Sequence, residues 1–312
     1  MDIAEKKSKG ISNSFIMIIL LLLLIAATAF YLITANEINS VKTEIEACSD
    51  RIGTLEEENT ALRNKAEKNK YFLETYAMLE GSDLKAELRG RGASAPGKKA
   101  SEYIKEASSE IAVKNLKYMD NIQCYGDEIV MEYISPDGSE LNACIVMNHI
   151  AALSDEICRG ASTESEKAYL IAKWVSENIC YNFDAANSAV TTDVISLETV
   201  MALKMTTCAG FSNIFAALCQ AQGLYCINMR GGSSDNAEDL AAVPVNHEWN
   251  GVFCDGNWLF FDTTWASSNM YINGEYFKGR VVESNFNMTH EEMSSQRRID
   301  RIDFRDFYSV FD

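Results

Sequence analysis

The chain has 312 residues, with 28 Lys and Arg against 45 Asp and Glu, a formal net charge of −17. So acidic a balance excludes a nucleic-acid scaffold, because phosphate recognition needs basic surface. With 47% hydrophobic and 23% charged residues the chain can bury a domain-sized core, which excludes global disorder, and its three histidines (His149, His247, His290) leave few candidates for imidazole chemistry.

Residues 1–13 carry Lys6, Lys7 and Lys9 and lead into an uncharged apolar run at 15–34. A helix of that length covers roughly the 30 Å of bilayer hydrocarbon. The run predicts a transmembrane signal anchor over 14–35. The lysines before it, against Glu37, Glu44 and Glu46 after it, predict a cytoplasmic N-terminus and an extracellular remainder at the cell membrane. Ala27-Thr28-Ala29 has the small-x-small form of a cleavage site, so a cleaved secretory signal is the competing reading, and it exports the remainder equally.

Across 36–80, apolar residues recur in steps of three and four. Ile38, Ile45, Ile52, Asn59 and Ala66 fall at a positions, and Val41, Cys48, Leu55 and Leu62 at d positions. The pattern predicts a parallel homodimeric coiled-coil stalk in which Asn59 fixes register. A single amphipathic helix lying on the following domain is the alternative. Cys48 would face its twin across a dimer, as an interchain disulfide or as a packed thiol. Residues 81–100, with Gly, Ser and Pro, read as a linker, and 101–312 as the globular domain.

Within that domain, 128–134 and 141–147 read as strands around a Pro136-Asp137-Gly138 turn, and 164–179 as a helix. Another helix opens at Cys208 and stops at Gly223. Residues 246–265 read as a hairpin with Asp255-Gly256 as its two-residue turn. Helices followed by strands predict an α+β fold with an antiparallel sheet.

Thr206 or Thr207 can cap the Cys208 helix, whose free N–H groups and dipole favour a thiolate; a packed small residue is the plainer reading. In the two-residue-turn register Trp249 faces Asp262 and His247 faces Thr264. His247 and Asp262 then share one face as diagonal neighbours, the general-base half of a triad. A three-residue turn would separate them.

In order, a Cys at a helix start, an H-x-W-N strand at 247–250, a D-G turn and a D-x-T-W segment at 262–265 resemble the transglutaminase-like superfamily. The resemblance spans 164–265, with weaker support from Ile179-Cys180-Tyr181 and from 276–290. It implies a papain-related core, a cysteine-bearing helix packed on an antiparallel sheet, with Cys208 as nucleophile, His247 as general base and acid, and Asp262 as orienting carboxylate. The Cys208 N–H is the first expected oxyanion donor, with Tyr181, Asn182 and Trp174 as candidate partners. Two positions depart from the common pattern: Thr206 stands where Gly is usual and Glu248 where Ala is usual.

The implied activity is attack on protein or peptide amides through a thioester, giving a protease or amidase with water and a transglutaminase with an amine. A tethered binding module that kept only the fold is the rival reading. No nucleotide loop or metal-ligand spacing occurs, so neither cofactor nor metal is expected. Cys124 with Cys144 and Cys226 with Cys254 are candidate disulfides, and Cys219 reads as a packed thiol.

Overall fold

The computed structural model describes residues 13–92, 102, 122–125, 130–187, 192–236 and 240–312. Two compact units divide the chain, Met1–Arg63 and Asn64–Asp312. Helix α1 (Asn13–Met78) is continuous and holds one stretch long and apolar enough to cross a membrane. Its expected coiled-coil seam, Ile38 through Leu62, is exposed in the single chain.

The second unit contains the end of α1, then α2 (Leu84–Leu88), β1 (Gln123–Tyr125), α3 (Met131–Ile134), α4 (Glu140–Ile157) and α5 (Glu164–Asn178). Next come β2 (Cys180–Asn182) and α6 (Phe183–Ala186). Two short helices, α7 (Thr192–Ile195) and α8 (Leu197–Leu203), lead through β3 (Met205–Thr206) into α9 (Cys208–Ala221). Strands β4 (Tyr225–Ser233), β5 (His247–Cys254) and β6 (Asn257–Phe261) follow. The chain then runs through α10 (Thr263–Ala266), β7 (Met270–Ile272), β8 (Glu275–Phe277), α11 (His290–Ser294) and β9 (Arg297–Asp303).

The fold is α+β, but its sheets are mixed rather than antiparallel. One sheet has the order β1-β9-β4-β5-β6 and the other β3-β2-β7-β8. Parallel pairing joins β1 to β9, and β2 to both β3 and β7. These partners are distant in sequence, Gln123 facing Arg301 for example, whereas local turn signals report only hairpins. Helix α9 is buried from Gly210 to Ala221 and packs against α4, α5, β4 and β5.

The strands expected at 128–134 and 141–147 are helices α3 and α4; residues 128 and 129 lie outside the described residues. Ser139 caps α4 by accepting from the Asn142 N–H, and the buried residues Ala143, Met147, Ile150 and Ala151 lie on one helical face. A short apolar run carries no period that separates a strand from a buried helix. Helix α5 matches its expected bounds to within one residue, because Thr163 and Glu166 close a capping box at its start.

The globular unit begins well before residue 101. Tyr71, Thr75 and Leu88 are buried, and the Tyr71 hydroxyl pairs with His149 Nδ1 at 3.0 Å. Lys68 pairs with Asp193 and Glu198, and Asn148 donates to the Leu84 carbonyl at 2.7 Å. Residues read as stalk end and linker therefore complete the core. Burial of Leu88 and near-complete burial of Tyr71 contribute about 1.5–3 kcal/mol each. A fragment starting at Ser101 is thus expected to be less stable than one starting at Asn64 by at least about 3 kcal/mol; equal urea midpoints would contradict this.

Candidate functional site

Cys208 is half-buried at the first turn of α9, delivered by β3. The turn closes because residue 210 is glycine: a Cβ there would meet Thr206 Oγ1 at 1.9 Å. Thr206, the departure noted in the sequence, is fully buried and donates to the Val194 carbonyl at 2.8 Å. Neither threonine caps α9 as expected: Thr206 is bonded elsewhere, and among the described residues the Thr207 side chain makes no capping hydrogen bond. The first-turn N–H groups are therefore not taken up by a side-chain oxygen.

The expected hairpin forms, with Asp255 and Gly256 at φ of 51° and 82° in the turn. Its ladder ends at the Asn250–Phe261 pair. Asp262 leaves the strand to cap α10, its Oδ1 accepting from the Trp265 N–H at 2.9 Å. Its Oδ2 accepts from His247 Nε2 at 2.8 Å and from Arg297 Nε at 2.7 Å. His247 packs against the rings of Trp249 and Trp265, with centroids at 5.8 and 5.6 Å. With Nε2 committed to Asp262, Nδ1 is the nitrogen left for Cys208.

Burial opposes a charge on His247. The Asp262 carboxylate and its hydrogen bond, with a further hydrogen bond to Cys208, outweigh burial and hold the imidazolium up to about 9. Asp262 is pulled well below the usual carboxylate range despite its burial, by His247 and Arg297 together. The other histidines behave oppositely. Burial, with Lys204 adding to it at His149, pushes His149 and His290 down to about 4. At neutral pH, then, His247 alone carries the imidazolium charge.

Tyr181 on β2 lines the same cleft, and burial, reinforced by Cys208, pushes its hydroxyl up to about 12. Its N–H is taken by the Asn269 carbonyl at 2.9 Å. Asn182 spends its side-chain oxygen capping α6, and Trp174 lies on α5 beneath the Lys204 ammonium, 5.4 Å from the ring centroid. The structure thus brings Cys208, His247, Asp262 and Tyr181 together, while Asn182 and Trp174 have structural partners. The cleft, about 630 Å³, is walled by Tyr181, Phe183, Trp265 and Met270, with Asn246 beside His247.

Sequence reasoning missed Arg297, buried with its guanidinium on Asp262. The inward-facing Ile299 two residues on was the available signal, since strand alternation places both on one face. Glu248, the second departure, is also buried. It pairs with Arg305 at 2.8 Å and with Arg230, and Arg305 pairs in turn with Asp303. A buried carboxylate is tolerated when its partners are this complete.

Among the described residues all nine cysteines are free thiols, so the disulfides expected at Cys124–Cys144 and Cys226–Cys254 are absent. Cys144 lies on α4 rather than in a hairpin, and Cys226 faces Val252, so Cys254 stands two residues out of register. Cys219 is fully buried, as expected of a packed thiol.

Residues 151–263, from α4 to the start of α10, match the family model of the transglutaminase-like superfamily. It is similar to the kyphoscoliosis peptidase of Mus musculus, 23% identical over 125 residues, and to that of Homo sapiens, 25% identical over 118 residues. These alignments cover 39% and 37% of this chain but only 19% and 18% of the relatives, so the chain spans about a fifth of their length. Among solved structures, a TGase aligns over 68% of this chain and 50% of its own, at 18% identity and a TM-score of 0.34. A candidate cysteine protease from Cytophaga hutchinsonii aligns over 38% and 37%, at 19% identity and a TM-score of 0.31.

Contact between Cys208 and an imidazolium predicts that His247→Ala slows Cys208 alkylation at pH 6 by at least about tenfold, and Asp262→Asn by a similar factor. Peptide mass spectrometry reads this directly, and unchanged rates in both variants would contradict it.

Proposed function

We propose that this protein is a cysteine enzyme that breaks protein or peptide amide bonds through a thioester on Cys208. It is held at the cell membrane by residues 14–35, with the transglutaminase-like domain outside. The observation that carries the reading is the buried His247, bonded through Nε2 to Asp262 and held protonated by that carboxylate, with Cys208 adding to the hold.

In the proposed reaction the Cys208 thiolate attacks the amide carbonyl, and first-turn N–H groups of α9 receive the oxyanion. The C–N bond breaks as His247 passes its proton to the departing amine. Neutral His247 then takes a proton from water, whose oxygen attacks the thioester and releases the acid and the thiolate. An amine in place of water would give a crosslink. Hydrolysis is favoured here because the cleft also presents Ser233, Asn246, Ser267 and Asn269, a polar rim that admits water, whereas amine transfer needs water excluded. The word peptidase in the relatives' names points the same way.

Among the described residues, His247 is the only charged side chain lining the cleft, and its apolar surface comes from Tyr181, Phe183, Trp265 and Met270 beside neutral Ser, Thr and Asn side chains. Neutral apolar side chains beside the scissile amide are therefore expected to react at least about tenfold faster than Asp or Lys there. Intact-mass detection tests both statements. Peptide amides should leave an acyl adduct on Cys208 that Cys208→Ala abolishes. No adduct and no cleavage across a diverse peptide set would overturn the enzyme reading in favour of a binding module.

The stalk at 36–80 is proposed to pair two chains in parallel. Mild oxidation of the full chain should then give a dimer on a non-reducing gel that Cys48→Ser removes; a monomer in both cases would contradict pairing at that register.

A further inference from the structure

Arg297 is an unusual residue to find buried, being 1% exposed on β9. Its Nε donates to Asp262 Oδ2 at 2.7 Å, and one Nη donates to Asn285 Oδ1 at 2.8 Å. The Asn285 carbonyl in turn accepts from the Asp262 N–H at 3.0 Å. These three contacts close a ring that fixes the Asp262 carboxylate at both its backbone and its side chain. The guanidinium also lies 4.4 Å from the Trp265 ring centroid, and Trp265 is the indole tilted against His247. Arg297 therefore reaches the imidazole by two routes, through Asp262 and through Trp265.

We infer that Arg297 is a positioning residue of this site, orienting Asp262 and Trp265 around His247 and setting the pH at which His247 releases its proton. The inference rests on the enzyme reading above and deepens it. Arginine suits the task because its planar fork can hold Asp262 and Asn285 at once, which a lysine ammonium cannot do in the same geometry.

The sign of the electrostatic effect follows from the groups facing His247. Asp262 before α10 bonds the ring, Cys208 at the start of α9 acts on His247 and on Tyr181, and Tyr181 on β2 lines the same cleft as His247. Glu248, next to His247 on β5, is occupied by Arg230 and Arg305. Arg297 shares the very oxygen that His247 uses, so its positive charge weakens the hold of Asp262 on the imidazolium. Without Arg297 that hold tightens, and the proton leaves at higher pH.

The test uses the full chain and iodoacetate, an anion that a protonated His247 draws toward Cys208. Labelling of Cys208, read by peptide mass, should fall on an upper limb as His247 loses its proton. In Arg297→Gln that limb is expected to move up by about one pH unit. In Arg297→Lys, which keeps the charge, the limb should stay in place while the labelling rate falls by roughly tenfold, because Asn285 is no longer held. If Arg297→Gln does not fold, Arg297→Lys alone decides: labelling at the wild-type rate would overturn the inference. A folded Arg297→Gln whose melting temperature drops while its limb stays put reduces Arg297 to a structural ion pair and overturns it equally. Wild-type labelling that is indifferent to His247→Ala would be a different failure, removing the enzyme reading and the inference with it.

Discussion

One oxygen of Asp262 holds the candidate site together. The carboxylate is fully buried, and its Oδ2 is shared between the His247 ring at 2.8 Å and the Arg297 guanidinium at 2.7 Å. Burying a charge without partners costs several kcal/mol, so these contacts are a condition for the fold as well as for the chemistry. The same residue ends β6 and starts α10, which puts Trp265 over the imidazole. Strand, cap, aromatic wall and base are thus set by a single side chain.

A second buried network runs beside the first. Glu248 follows His247 on β5 yet belongs with Arg305, Arg230 and, through Arg305, Asp303 and Asn213. Asn228 and Asn250 tie this region to Ser212 on the cysteine-bearing helix at 2.7 and 3.2 Å. The glutamate that departs from the family pattern is therefore matched by arginines elsewhere in the chain. Thr206 is accommodated differently, packing into the space that Gly210 leaves open.

What the sequence made legible was local. The helix at Cys208, the helix opening at Glu164 and the Asp255-Gly256 turn each rest on residues within a few positions, and each stands in the structure. The His247–Asp262 contact followed from counting along that hairpin, although Asp262 reaches His247 from a helix cap rather than from the strand. Long-range features were illegible for a physical reason. The pairing of β1 with β9 and the burial of Tyr71 and Leu88 against the domain leave no periodic trace near themselves, and the alternation that turns Arg297 inward with Ile299 does not name Asp262 as its partner. The apolar run at 141–147 was misread as a strand because seven residues fit either a buried strand or a buried helix.

The most direct measurement is an NMR titration of the His247 imidazole nitrogens in the full-length protein. The account requires His247 to remain protonated through neutral pH and to lose its proton near pH 9, with Nε2 hydrogen-bonded throughout. Loss of the proton at or below the ordinary 6.5 of a free histidine would contradict it, because the buried Asp262 carboxylate would then hold a neutral ring.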